Sequence, residues 1–180
     1  MVDSLLAPFH ILSYGTLLGT QVYQSFVGGI IAFRALPRPM FSTLQASIFP
    51  VYFSLQTALP LAVALTYPGA KTFMGRGPSS LSGVFAEGQR TSTLLPIFTM
   101  FVTGLANMLV VGPMTTRIMR ERKHQETIDG KKSYDPAPHS KEMLRLNKSF
   151  ARMHGVSSLV NLAALISTIW YGVVLANRIE

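Results

Sequence analysis

Four long apolar stretches dominate this chain, and nearly all of its charge lies in the joints between them. The stretches cover residues 8–33, 41–67, 93–113 and 154–176, and none of them contains Asp, Glu, Lys or Arg. About 20 uncharged, largely apolar residues in a helix match a hydrocarbon core about 30 Å thick. The sequence therefore predicts an all-α, polytopic membrane protein, with four transmembrane helices bundled in one domain over residues 1–180.

The composition excludes an ordinary soluble domain and several kinds of chemistry. Only 13% of the residues are charged, whereas soluble domains average about 25%. The chain contains no Cys, which excludes disulfides, thiolate nucleophiles and cysteine metal sites. All eight Asp and Glu residues lie in the joints or at the termini. That leaves no buried carboxylate for a proton relay and no acidic pair for acid–base catalysis, so we expect no enzymatic activity.

The uneven distribution of basic residues predicts an orientation in the membrane. The first joint carries Arg34 and Arg38, and the third joint, residues 114–153, carries ten further Lys and Arg residues. In a four-helix serpentine both joints face the same side. The positive-inside rule assigns that side to the cytosol, and both termini to the lumen or the cell exterior.

A basic amphipathic helix is predicted immediately before the fourth stretch. Apolar residues recur there at helical spacing, and the remaining positions carry Lys141, Arg145, Lys148 and Arg152. Such a helix beside a membrane span normally lies in the interface, where anionic lipid headgroups attract it. A surface for a partner protein and an unstructured charged loop are the alternatives. Nucleic acid is not an expected partner, because the membrane topology accounts for the positive charge.

Polar residues within the stretches predict a shared layer in the cytosolic half of the membrane. At 1.5 Å per residue, Gln24, Asn107 and Asn161 lie about 9–14 Å from the cytosolic ends of their helices. A cavity that opens to the cytosol for a small polar substrate is one interpretation, and hydrogen bonding between helices is the other. The candidate cavity residues are Gln24, Arg34, Gln45, Asn107, His154 and Asn161.

Gly15 and Gly19 form a pair of small residues four positions apart in the first stretch. Small residues at this spacing allow helix backbones in a membrane to approach closely. We expect these two glycines to pack against another helix of this chain, of a partner membrane protein or of a second copy.

Two histidines raise the question of a haem. His10 lies near the lumenal end of the first helix and His154 at the cytosolic end of the fourth, so about 30 Å separates them. They cannot ligate one iron. We expect neither a cofactor nor a metal site.

Two long motifs resemble the transmembrane protein 205 family. One is FVGGIIAFRALPR at residues 26–38, followed by Gln45 and by FPVYF at residues 49–53. The other is NKSFARMHGVSSLVNL at residues 147–162. The short element PMTT at residues 113–116 is similar to a Pro-Arg-Thr-Thr element of that family, with Met in place of Arg. The likeness extends over most of the chain in the same order and spacing.

The resemblance implies a four-helix membrane protein of the secretory system, in the endoplasmic reticulum, the secretory pathway or the plasma membrane. A vertebrate member of the family is reported to promote resistance to platinum drugs, and the family brings no established biochemical activity. Because this chain has no Cys, it cannot handle platinum through thiols.

These observations favour a non-enzymatic membrane protein that supports transport or trafficking. A structural or assembly factor that binds partner proteins and lipid is the alternative. A haem- or lipid-binding membrane enzyme is the third candidate.

The orientation predicts that Asn147 is never glycosylated, although Asn147-Lys148-Ser149 is the one N-glycosylation sequon of the chain. A cytosolic sequon does not meet the lumenal transferase. Expression in eukaryotic cells, followed by glycosidase digestion and gel electrophoresis, should give no mobility shift. A Pro78→Asn variant, which adds a sequon to the second joint, is the positive control. A mobility shift in the natural chain would show that the orientation is the reverse of the predicted one.

Overall fold

The computed structural model describes residues 2–69, 71–72 and 75–177, and most of these residues are helical. Between the third and fourth helices, two short strands pair antiparallel, with Lys71 opposite Arg76 and Thr72 opposite Gly75. The elements are α1 (Val2–Val22), α2 (Gly29–Ala35), α3 (Arg38–Leu65), β1 (Lys71–Thr72), β2 (Gly75–Arg76), α4 (Ser80–Val84), α5 (Leu95–Ala106), α6 (Gly112–Asp129) and α7 (Lys141–Ala176).

Three π-helical turns extend these helices. Tyr23–Gly28 joins α1 to α2, Arg90–Leu94 leads into α5, and Asn107–Val111 joins α5 to α6. The first and third turns continue the helix on both sides without a break, and the second begins its helical segment. A π-helical turn inserts an extra residue into the helical register, and such turns are frequent at functional sites. The described residues therefore form four long helical segments, over residues 2–35, 38–65, 90–129 and 141–176.

Three of these segments are long and apolar enough to cross a membrane: Arg38–Leu65, Arg90–Asp129 and Lys141–Ala176. In the most apolar part of each, only 33% to 39% of the residues are buried inside the protein. Large apolar side chains lie on the outer surface instead; Val51 is 62% exposed and Leu159 68% exposed. Water disfavours apolar exposure on this scale, whereas the hydrocarbon core of a membrane favours it. The protein is thus a membrane protein.

The four segments pack as a closed ring. Helix α1 contacts α3, α3 contacts α5, α5 contacts α7, and α7 contacts α1. The apolar core lies toward the end where residues 66–89 connect the second helical segment to the third, and we call this the loop end. Leu17, Val63, Met100 and Tyr171 are almost completely buried there. The opposite end carries residues 114–153, which we call the basic hairpin.

In the basic hairpin, the residues predicted to form a basic amphipathic helix before the fourth span are helical, and their position in the lipid interface stays a prediction. Residues 141–153 are the first part of one continuous helix, α7, and the outer part of α6 packs against them. Met143 and Leu146 on the apolar side are buried. The third helix likewise continues past residue 113 to Asp129. Because α6 already covers the apolar side of this part of α7, lipid is not needed to cover it.

The close approach of helices occurs at Gly104 rather than at the glycine pair of α1. A Cβ atom added to Gly104 would lie 2.5 Å from the backbone oxygen of Gln56 on α3. Gly15 and Gly19 are exposed, and a Cβ atom added to either would meet no atom within 4 Å. Helix packing by these two residues therefore does not occur within the described chain, and packing against another chain stays a prediction.

We predict that Gly104→Ala destabilises the protein, because the new methyl group must push α5 away from the Gln56 peptide. Overpacking of this kind costs about 1–3 kcal/mol. Scanning fluorimetry in detergent should show a clearly lower Tm. Gly15→Ala and Gly19→Ala are matched controls in open positions and should leave the Tm unchanged or raise it. Equal Tm values for Gly104→Ala and Gly15→Ala would contradict the close packing.

Candidate functional site

The first helical segment, α1 with the π-helical turn that follows it, presents a polar face to the interior of the ring. His10, Tyr14, Leu17, Gln21 and Gln24 follow one another at spacings of three or four residues, which places them on one side of a helix. His10, Leu17 and Gln21 are buried, with exposed fractions of at most 1%. The polar members of this face make hydrogen bonds to α3, to α7 and to the residue that follows α3.

At the loop end, His10 lies at the centre of a buried cluster. Its Nε2 atom lies 2.7 Å from the hydroxyl oxygen of Tyr171 on α7, and its Nδ1 atom lies 3.4 Å from the hydroxyl oxygen of Thr66. One turn further along α1, the Tyr14 hydroxyl donates to the backbone oxygen of Thr168 at 3.3 Å. Both ring nitrogens of His10 therefore lie beside hydroxyl groups, so neither is directed toward an open position for iron.

The middle of the face carries a chain of hydrogen bonds between α1 and α3. The Nε2 group of Gln21 donates to Oε1 of Gln56 at 2.7 Å. The Nε2 group of Gln56 donates to the Thr20 hydroxyl at 3.2 Å, and that hydroxyl donates to the Leu17 backbone oxygen at 2.9 Å. Oε1 of Gln21 is buried and has no hydrogen-bond partner among the described residues.

Two further pairs lie nearer the basic hairpin. The Nε2 group of Gln24, in the first π-helical turn, donates to Oε1 of Gln45 at 3.2 Å. Across the ring, the Nδ2 group of Asn107 donates to Oδ1 of Asn161, and the Ser157 hydroxyl donates to Oδ1 of Asn107, both at 3.0 Å. Asn107 is fully buried and begins the third π-helical turn.

The structure brings the predicted cavity residues together only in part. Gln24 meets Gln45 between α1 and α3, whereas Asn107 meets Asn161 between α5 and α7. Arg34 and His154 are exposed, and the His154 ring stacks on Phe150 with centroids 5.9 Å apart. The polar layer thus consists of two interhelical pairs. Their union in one cavity that opens to the cytosol stays a prediction.

The basic hairpin keeps its predicted lipid-contacting cations on the surface. Lys141, Arg145, Lys148 and Arg152 are all exposed, and Arg145 forms a two-pronged ion pair with Glu142. A shallow, open groove lies nearby between α6 and α7. Its lining mixes both signs of charge; it comprises Arg120, Glu121, His124, Gln125, Glu142, Arg145 and Leu146.

Glu126, on α6, binds two residues in the loop of the basic hairpin. Its carboxylate accepts the backbone N–H of Ser133 at 3.0 Å and lies 3.6 Å from the Lys132 ammonium. Burial by itself would raise the pKa of Glu126. The hydrogen bonds from Ser133 and the charges of Lys132 and Arg122 outweigh that effect and lower the pKa below its ordinary value.

Arg122 links the two helices of the basic hairpin. Its guanidinium carbon lies 4.5 Å above the Phe150 ring, and its Nε–H donates to Oδ1 of Asn147 at 2.9 Å. Asn147 in turn donates to the Ser133 backbone oxygen. Asn147, the glycosylation sequon, is therefore engaged in the hairpin structure.

Sequence reasoning missed the pairing of Gln21 with Gln56 and that of His10 with Tyr171. A signal for the first pair exists in the sequence: Gln56 follows Gln45 by 11 residues, which is three helical turns, so both glutamines lie on the same face of α3. Among residues 2–69, 71–72 and 75–177, no group of three or more His, Cys, Asp or Glu side chains could hold a metal ion.

Comparison with known proteins identifies the family of the chain and a relative that covers nearly its full length. The family described as "Domain of unknown function (DUF4149)" matches residues 12–124. "Xanthocillin biosynthesis cluster protein D" of Aspergillus fumigatus is 34% identical over 174 residues, which cover 97% of this chain and 91% of that protein. No solved structure matches this chain.

The direction of the central hydrogen-bond chain predicts an order of stability for leucine variants. Gln56→Leu leaves both polar groups of Gln21 unpaired, and each buried unpaired group costs about 1–3 kcal/mol. Gln21→Leu leaves only the Gln56 oxygen unpaired. The double variant removes both amides and should be at least as stable as the natural chain. Tm values in detergent should therefore rise from Gln56→Leu through Gln21→Leu to the double variant. If the double variant has the lowest Tm, the inferred hydrogen bonding between Gln21 and Gln56 is wrong.

The lowered pKa of Glu126 predicts a loss of hairpin stability in acid. The folded state holds this carboxylate ionised, so its contribution is present above the unfolded pKa and disappears as the pH falls through the folded pKa. Limited proteolysis across residues 130–140, measured from neutral to acidic pH, should show faster cleavage below the usual Glu range. In Glu126→Gln, cleavage should be faster at neutral pH and should change less with pH. Identical profiles would contradict the role of this carboxylate.

Proposed function

The chain belongs to the family defined by the domain of unknown function DUF4149, and we propose that it provides a pathway through a membrane for a small polar molecule. It does so as a four-span protein without enzymatic activity. The polar face of α1 lines the pathway, and α3 and α7 supply the facing groups. The sequence favours a role in transport or trafficking, and we propose transport.

The observation that carries the proposal is the series of polar contacts along α1. His10, Gln21 and Gln24 make side-chain hydrogen bonds at three levels of the ring. At 1.5 Å per residue these levels span about 21 Å. Polar groups are costly in an apolar interior, and one interhelical hydrogen bond in a membrane contributes only about 0.6–2 kcal/mol. A polar series this long exceeds what helix packing needs and suits a route for polar molecules.

The first helical segment serves as the fourth span in this proposal. Residues 2–35 form one uninterrupted helical segment, and at 1.5 Å per residue it is about 50 Å long. Among the described residues it is not one of the segments that are long and apolar enough to cross a membrane by composition alone, and its inward face carries the buried polar residues His10 and Gln21. Its place in the ring beside α3 and α7 supports a transmembrane position.

The basic hairpin faces the cytosol, and the termini face the lumen or the exterior, of a secretory or plasma membrane. The positive-inside rule supports this orientation. If the membrane boundary lies near His154, Arg152 and Lys148 lie about 3 and 9 Å beyond it, and Arg145 and Lys141 about 13 and 20 Å. The Debye length is about 8 Å in physiological salt. We therefore expect anionic headgroups to contact Arg152 and Lys148, not all four cations.

An assembly factor is the second candidate, and the exposed glycines of α1 favour it. Gly15 and Gly19 leave an open strip on the outside of the ring, where a helix of a partner membrane protein or of a second copy can pack. The likeness to the transmembrane protein 205 family, with its link to platinum resistance, fits either candidate. The relative named for a biosynthesis cluster suits a protein that helps to handle a biosynthetic compound.

Proteoliposomes test the pathway directly. Vesicles that contain the purified chain, mixed rapidly with hyperosmotic glycerol or urea, should first shrink and then reswell faster than protein-free vesicles. Vesicles with an unrelated four-helix membrane protein are the control for leakage at the protein surface. Reswelling no faster than in that control would remove the pathway and leave the assembly role.

A further inference from the structure

We propose that Oε1 of Gln21 is the recognition point of the pathway and takes an uncharged hydrogen-bond donor, such as the hydroxyl of a polyol or the N–H of an amide. This inference rests on the proposed pathway and identifies its central site and the class of its substrate. The site comprises Gln21 on α1 and Gln56 on α3. The Thr20 hydroxyl determines which atoms of these two amides donate hydrogen bonds and which accept them.

The direction of the hydrogen-bond chain decides which atom is left over. The Thr20 hydroxyl has one proton, which it donates to the Leu17 backbone oxygen. It must therefore accept from Gln56, whose nitrogen faces it at 3.2 Å. The Gln56 oxygen then faces Gln21 and accepts from its nitrogen at 2.7 Å. The remaining atom of Gln21 is consequently the carbonyl oxygen, an acceptor and not a donor.

This oxygen is both buried and unsatisfied. Gln21 is only 1% exposed, and its Oε1 atom is the buried side-chain polar atom that lacks a partner among the described residues. A buried acceptor without a donor costs free energy in the closed protein. A substrate hydroxyl or N–H that reaches this oxygen recovers the lost hydrogen bond.

The site lies near the middle of the membrane in the proposed topology. Gln21 is 13 residues from Pro8 and 13 residues from Arg34, so about 20 Å of helix extends to either side. A polar group at this depth is the hardest one for a lipid-facing surface to tolerate. It is also the position at which a crossing polar molecule most needs a partner.

Charge selects a neutral substrate. None of the four apolar stretches contains an acidic residue, so no countercharge exists at this depth to hold a cation. An unpaired ion in an apolar interior is very costly. The free group is a carbonyl oxygen, which repels anions. An uncharged molecule that donates hydrogen bonds remains as the class of substrate that fits.

The two glutamines differ in how firmly they are held. The Gln56 backbone lies against α5 at Gly104, where not even a methyl group would fit. Gln21 comes two residues before the π-helical turn Tyr23–Gly28, where the helical hydrogen-bond register changes. Gln56 thus provides the fixed side of the site, and Gln21 the side that can turn toward a substrate.

Solute selectivity tests the class of substrate. Reswelling of proteoliposomes should be fast with urea and glycerol, which donate hydrogen bonds, and slow with trimethylamine N-oxide, which has no donor. Gln21→Leu/Gln56→Leu should slow urea and glycerol entry about tenfold, the effect of one hydrogen bond. Val22→Leu, the neighbouring exposed residue, should not alter it. The Tm of each variant shows whether it has folded.

The outcomes separate the two proposals. If the natural chain reswells no faster than the leakage control, the pathway itself is wrong. If the natural chain admits urea but the folded double variant admits it equally well, the pathway stands and Gln21 is not its recognition point. Equal entry of urea and trimethylamine N-oxide overturns the inferred substrate class.

Cysteine labelling provides a second readout that does not depend on flux. Because the natural chain has no Cys, a single introduced thiol gives the whole signal. Gln21→Cys should react with a small hydrophilic thiol reagent, because the pathway brings that reagent to position 21. Val22→Cys, at the same depth on the exposed face, should react far more slowly because hydrocarbon suppresses thiolate formation. Equal rates at the two positions would contradict a substrate site at Gln21.

Discussion

The requirement that polar groups in an apolar environment find partners shapes this whole structure. The backbone meets it by forming helices, since a helix satisfies its own N–H and C=O groups. The side chains meet it by pairing between helices, which orients α1 with His10, Gln21 and Gln24 facing inward. The large apolar residues then occupy the outer surface. The apolar exterior and the polar interior are thus two consequences of one constraint.

The close contact between α3 and α5 makes the central polar site possible. Gly104 has no side chain, so α5 can lie directly on the Gln56 peptide. Gln56 is thereby held where it faces Gln21. The π-helical turns serve a related purpose, because an extra residue in the register changes the direction in which the following side chains point. Asn107 begins one such turn and meets both Asn161 and Ser157.

Much of the architecture could be predicted from the sequence, because helix existence depends on the distribution of charge along the chain. The apolar stretches correspond to the four helical segments within a few residues at most ends. Partners could not be predicted, because they depend on how each helix is rotated. Gln24 and Asn107 do make interhelical hydrogen bonds, but with different neighbours. The Gly15–Gly19 pattern faces outward, and α6 covers the apolar side of residues 141–153, where Arg122 lies over the Phe150 ring.

Oε1 of Gln21 is the group without a hydrogen-bond partner at the centre of the ring. The direction of the Thr20 hydroxyl decides that this group is an acceptor. Had the Thr20 proton pointed to Gln56 instead of to Leu17, both amides would be reversed and the unsatisfied group would be an N–H. The site would then favour acceptors. The backbone oxygen of Leu17, one turn earlier on the same helix, therefore sets the preference for donors through two side chains. If the proposed pathway exists, such a chain of neutral groups gives it a chemical selectivity without any charged residue in the four apolar stretches.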